Sequence, residues 1–171
     1  MTWLPASTGL RSAISSSGCI SVRVEMTLKM QTMVAGVDGS EGGERAAAAA
    51  TEMARKWGAR LLLVTVVRTP EGWWGIGGAP PTPEALSTAL IEGQKQILDE
   101  TVAKLELDGV DYQTVEELGD PVNRLIAVCE ENDADLLVIG RRGAGLVERV
   151  VLGSVADRLC HLAPCPVLIV P

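Results

Sequence analysis

The sequence predicts an α/β fold, a five-stranded parallel doubly wound sheet with helices on both faces. Three observations point there. From residue 32 onward, short aliphatic runs alternate with amphipathic stretches of helical period. Hydrophobic residues make up 47% of the chain but aromatics only 3%, so the core is built from Val, Leu, Ile and Ala. Those runs show little polar alternation, which suits parallel strands buried on both faces.

Residues 1–31 differ in kind. They are rich in Ser, Thr and Gly, and they lack the continuous apolar run of a secretory signal. They weakly resemble an organelle transit peptide, and Met26, Met30 and Met33 leave open a downstream start. This N-terminal extension is expected to be disordered, with one domain following over residues 32–171.

Thr32 to Val37 reads as the first strand, ending in Asp38-Gly39-Ser40. A helix follows from Glu41 to Trp57, with Ala47, Ala50, Ala54 and Trp57 on one face and Gly58 as its stop. Leu61 to Val67 is the second strand. Residues 68–83 form a Gly/Pro loop holding Trp73 and Trp74. Either that loop is a lid whose indole covers a bound base, or it packs one Trp on its own domain.

Thr82-Pro83 starts the next helix, running to about Leu107 with Ile91, Leu98, Val102 and Leu105 facing inward. Val110 to Glu117 is the third strand. Asp120 caps a helix in which Val122, Leu125, Ile126 and Cys129 repeat at core spacing, so Cys129 reads as a packing residue. Leu136 to Ile139 is the fourth strand. After Ser154, Val155, Leu159 and Leu162 line a short helix, ended by Pro164-Cys165-Pro166. Val167 to Val170 is the fifth strand.

Composition narrows the function. A net charge of −7 argues against a nucleic-acid partner. The apolar runs are far shorter than a membrane span. Four cysteines at irregular spacing, with no secretory signal, read as reduced thiols, and a cytoplasmic location is expected. Cys160, His161 and Cys165 lack the paired spacing and further ligands of structural zinc, so no metal site is expected from them.

The stretch Gly140 to Ser154, GRRGAGLVERVVLGS, carries the chemistry. It runs from a strand end through a glycine-rich loop to a helix start. Small residues let backbone N–H groups approach an anion, and the helix N-terminus adds partial positive charge. Arg141, Arg142, Arg149 and Arg158 outnumber Glu148 and Asp157, making a positive island in an acidic chain. The bland alternative is a surface loop with solvated arginines, with Ser154 and Asp157 as a helix-capping pair. The loop lacks the Gly-Lys of a P-loop, and Gly140, Gly143 and Gly145 do not give the dinucleotide spacing. Asp38 ends the first strand and Gly140 the fourth. If those strands are neighbours, acid and loop face one crevice at the carboxyl edge of the sheet.

The spacing G-x2-G-x9-G-S resembles the nucleotide-binding motif of the universal stress protein family, in its ATP-binding subgroup. VAGVDGSEGGERA (34–46), LLLVTVV (61–67), residues 119–143 and residues 152–170 are similar to the family's blocks in order. The resemblance implies strand order 3-2-1-4-5 and an adenine nucleotide alpha hydrolase-like fold. It implies that Asp38 holds the ribose, that Val66 meets adenine through its backbone, and that Gly140 sits by the ribose. It places Gly143, Gly153, Ser154 and the Val155 amide at the phosphates, with Mg2+ or Mn2+ bridging them. Arg141 and Arg142 replace smaller polar residues and either attract phosphate or point to solvent. Thr65 stands where many members have His. The resemblance also implies a homodimer through the last strand, whose bare apolar edge would otherwise be a hazard.

The function expected is an ATP-binding regulatory module of the stress response. Hydrolysis, if any, is expected to be slow, since no residue stands out as a base for water. The other readings are a nucleotidyl-transfer or ATP pyrophosphatase-type enzyme, for which these 171 residues are expected to be too few to add a substrate domain, and a nucleotide-independent dimeric scaffold.

Overall fold

The computed structural model describes residues 12–14, 20–22, 30–68, 83–143 and 152–171. Within the N-terminal extension, β1 (Ser12–Ile14) and β2 (Ile20–Val22) pair antiparallel. The domain then runs β3 (Thr32–Val37), α1 (Glu41–Trp57), β4 (Arg60–Val67), α2 (Pro83–Lys104), β5 (Tyr112–Leu118), α3 (Pro121–Glu131), β6 (Leu136–Gly140), α4 (Ser154–Leu162) and β7 (Val167–Val170). Trp73, Trp74 and Arg149, singled out in the sequence, lie outside the described residues.

The five domain strands form one sheet in the order β5-β4-β3-β6-β7, all pairs parallel. Numbered along the domain this is 3-2-1-4-5, the order that the resemblance implied. β3 is central, with Val34 beside Leu62 on one side and beside Leu137 on the other. The start of the sheet is pinned by Asp135, whose Oδ2 accepts the backbone N–H groups of Gln31 at 2.6 Å and Thr32 at 3.0 Å.

Side chains alternate across the strands, so β3, β4 and β6 each feed two cores. Met33, Ala35, Leu61, Leu63, Leu136 and Val138 pack beneath α1 and α2. Val34, Leu62, Val64, Leu137 and Ile139 pack beneath α3 and α4. That is why the strands read as unbroken aliphatic runs. The buried stripe of α1 is Ala46, Ala47, Ala50 and Ala54, small enough to bring the helix backbone close to the sheet. Ser40 caps α1 by accepting the Gly43 N–H at 3.1 Å, and Gly58 ends it at φ 65°, where a side chain would be strained.

Three predicted core positions are corrected. Trp57 is 44% exposed. At 100° per residue it has drifted about 80° from Ala47, and its ring does not fit an alanine-lined gap. Ile91 is 48% exposed. At 22 residues α2 is about 33 Å long, outreaching the strands it covers. Leu162 ends α4 at 54% exposed, leaving Leu159 as that helix's fully buried leucine.

Cys129 is buried in the second core, as predicted, with half-buried Cys165 packed against it. Desolvation first, then the neighbouring Cys165, pushes the Cys129 thiol up to about 12. Below pH 9.0 the thiol is protonated in folded and unfolded chains alike; above it the unfolded chain ionises first. Stability therefore falls as pH rises from there toward about 12, and Cys129→Ala should flatten that alkaline loss in urea titrations. Leu63→Ala, at a fully buried site in β4, should lower unfolding free energy by about 2–5 kcal/mol, read from the urea midpoint.

Candidate functional site

The carboxyl edge of the sheet opens between β3 and β6. From β3 the chain builds outward to β4 and β5, then crosses to β6 on the other side, so no helix fills the gap. A cavity of about 690 Å³ occupies it. All eight residues named from the sequence line this cavity: Asp38, Val66, Gly140, Arg141, Gly143, Gly153, Ser154 and Val155. The condition set by the sequence, that Asp38 and the glycine loop face one crevice, is met.

The geometry of Asp38 is set by glycines. Its Oδ1 accepts the Ser40 N–H at 3.1 Å and the Ser40 hydroxyl at 2.5 Å. Gly39, at φ 76°, makes the turn between them. A methyl group on Gly43 would stand 2.8 Å from Oδ1, and one on Gly143 would collide with Oδ2. The carboxylate thus sits in a slot with α1 on one side and the loop after β6 on the other.

The same principle seats the loop. A Cβ on Gly140 would lie 2.5 Å from the carbonyl carbon of Gly42 and 2.6 Å from its oxygen, and one on Gly42 would run into the Arg142 carbonyl. The loop therefore lies directly on the backbone of α1's first turn. It is fastened at both ends: the Arg141 N–H donates to Val170 O at 2.7 Å, and the Gly153 N–H donates to Arg141 O at 2.9 Å.

α4 begins at this loop, with Gly153 as its N-cap and no side-chain cap. The alternative role for Ser154, a helix cap paired with Asp157, is not what forms: Ser154 is already the first helical residue. The first helical bond runs from the Asp157 N–H to Gly153 O at 2.9 Å. The N–H groups of Ser154, Val155 and Ala156 precede it, and as first-turn amides they have no partner within the helix. With the Gly153 N–H engaged by Arg141, these three are the backbone donors that α4 offers, at the positive end of its dipole. A side chain on Gly153 would meet Arg141 O at 3.2 Å, so that glycine closes the loop.

Arg142, which the sequence placed in this loop with two possible orientations, lines the cavity, as does Asp157. The rest of the lining was not read as part of the site: Val64, Leu125, Ile139, Leu152 and Pro121 add an aliphatic wall, and Arg68 adds charge. Cationic side chains on the lining (Arg68, Arg141, Arg142) outnumber acidic ones (Asp38, Asp157). Apolar wall, one carboxylate at the centre and amides with arginines at one end suit a ligand that is part flat and apolar, part hydroxylated and part anionic. Among the described residues no three His, Cys, Asp or Glu side chains gather at one point. No helix among them is long and apolar enough to cross a membrane.

Gly140→Ala forces backbone against backbone and should cost about 1–3 kcal/mol in urea unfolding. Gly93→Ala, in α2 with no atom within 4 Å of the added methyl, should instead gain about 0.5–1 kcal/mol. Equal effects at the two positions would contradict the close seating of the loop.

The universal stress protein family matches residues 29–171 of this chain. A universal stress protein of Thermus aquaticus is 36% identical over 140 residues, covering 82% of this chain and 98% of its own. Among solved structures, the universal stress protein UspA of Lactobacillus plantarum superposes with a TM-score of 0.69 at 22% identity, covering 84% of this chain and 99% of that one. A universal stress protein solved in complex with cAMP gives a TM-score of 0.58 at 27% identity, over 84% of this chain and 98% of that one. With its sheet order, its crevice between β3 and β6 and these matches taken together, the chain belongs to the universal stress protein family.

Proposed function

We propose that this protein is an ATP-binding regulatory module of the stress response. The observation that carries the reading is the convergence on one cavity of the Asp38 carboxylate, the loop Gly140–Gly143 and the first-turn amides of α4. The solved relative that holds cAMP supports an adenine nucleotide as the ligand class.

In this reading the base lies on Val64 and Val66, with the Val66 backbone at its edge. Asp38 accepts from the ribose hydroxyls, beside Gly140. The phosphates meet Gly143 and the N–H groups of Ser154 and Val155, with Arg141 adding charge. Gly153 shapes that cradle. Mg2+ or Mn2+ bound through the phosphates would neutralise the remaining charge there. Binding biases conformation or assembly rather than driving fast chemistry, and hydrolysis is slow. The place of work is the cytoplasm.

The assembly is a homodimer through β7. All four of its aliphatic residues are only partly buried, and its outer edge has no partner strand among the described residues. Pairing with a second copy would cover that edge.

Titration with labelled ATP and Mg2+ tests the binding; no uptake at millimolar ATP overturns it. Asp38→Asn keeps the shape and removes the charge, and should weaken ATP about tenfold, as for loss of a charge-assisted hydrogen bond. Gly143→Ala, which displaces the Asp38 carboxylate, should weaken ATP at least as much without unfolding the domain. Light scattering at micromolar concentration should return twice the 18.0 kDa chain mass, and a monomer would refute the β7 dimer.

A further inference from the structure

The strand order lays out the cavity from one end to the other. β4 stands on one side of β3 and β6 on the other, with Asp38 at the end of the middle strand. The loop and the N-terminus of α4 lie on the β6 side. On the β4 side the lining residues are Val64, Val66 and Arg68, every second residue of one strand face, with Thr65 and Val67 skipped. The backbone of β4 is two strand spacings, about 10 Å, from that of β6. Arg68 follows Val64 and Val66 along that face, just past the end of β4.

Arg68 is held loosely. Its Nη2 lies 3.8 Å from Asp120 Oδ2, and its side chain is 61% exposed. The same oxygen is 3.5 Å from Arg158 Nη1, while Asp120 Oδ1 caps α3 by accepting the Asn123 N–H at 3.1 Å. Such a shared, exposed contact costs little to stretch. Pro121, next to Asp120 at the start of α3, also lines the cavity. Of the three lining residues that β4 and its end supply, Arg68 is the charged one, and its guanidinium is planar.

We propose that Arg68 is the base-recognising residue of this site, laying its guanidinium over the exposed face of a purine seated on Val64 and Val66. The inference rests on the nucleotide reading above. It adds that the base contributes affinity through a cation–π contact, which aliphatic walls cannot supply. Asp120 anchors the arm at the mouth, and the arm swings in as the base arrives.

The test compares ATP with inorganic tripolyphosphate, both with Mg2+, by calorimetry on the full chain. Wild-type protein should bind ATP more tightly than tripolyphosphate. Arg68→Ala should weaken ATP about three- to tenfold and leave tripolyphosphate unchanged. Arg68→Lys, which keeps the charge but not the plane, should fall between the two for ATP. If Arg68→Ala weakens both ligands equally, Arg68 is a general attractor of anions and the proposal is wrong. If wild-type protein binds tripolyphosphate as tightly as ATP, the base is not read at all, and the proposal fails while the anion cradle stands. If neither ligand binds, the nucleotide reading itself fails first. Equal thermal midpoints of the apo proteins show that the variants are folded.

Discussion

The contact on which the site depends is one between main chains. Gly42 and Gly140 meet with no side chain between them, and this lets the loop after β6 lie on the first turn of α1. Two helix N-termini and two strand ends can then converge on one point. The Asp38 carboxylate is trapped in the resulting slot, with Gly43 on one side and Gly143 on the other. Its aim is therefore fixed by atoms that are missing. Larger residues at any of these glycines would leave the sheet order intact and still disperse the site.

The scaffold beneath has a different logic. It is held by burial of aliphatic side chains on both faces of every inner strand, a non-directional force that tolerates exchange among Val, Leu and Ile. The alanine stripe of α1 links the two regimes. Because Ala46, Ala47, Ala50 and Ala54 bring that helix down onto the sheet, its N-terminus arrives at the height of Gly140. Core packing thus sets the level at which the glycine contact can form.

Much of this was legible in the residues. Helix α1 begins and ends where its cap and its glycine stop place it, and Asp38 and Gly140 do end neighbouring strands. Both results follow from local rules, of period and of capping. What was not legible depended on the third dimension. Gly42 and Gly43 looked like ordinary members of a helix start, because their role is defined by a loop about 100 residues away in sequence. Arg68, Pro121 and Leu125 gave no signal, since β4 and α3 meet only once the sheet has formed. The donation of the Gly153 N–H to Arg141 is of the same kind. Trp57 and Ile91 carry the reverse lesson: periodicity names a face, and only the extent of the neighbouring elements decides whether that face is covered.

The carboxyl end of β7 is stitched twice into the rest of the molecule. Val170 accepts from Arg141 in the loop, and the Pro171 carbonyl accepts from Arg45 Nε at 2.8 Å on α1. The outermost strand and the loop after β6 are therefore joined by a peptide hydrogen bond. Whatever strains that strand sideways tugs on the loop, and whatever stiffens the loop braces the strand. By thermodynamic reciprocity, the two ends of that bond cannot respond independently.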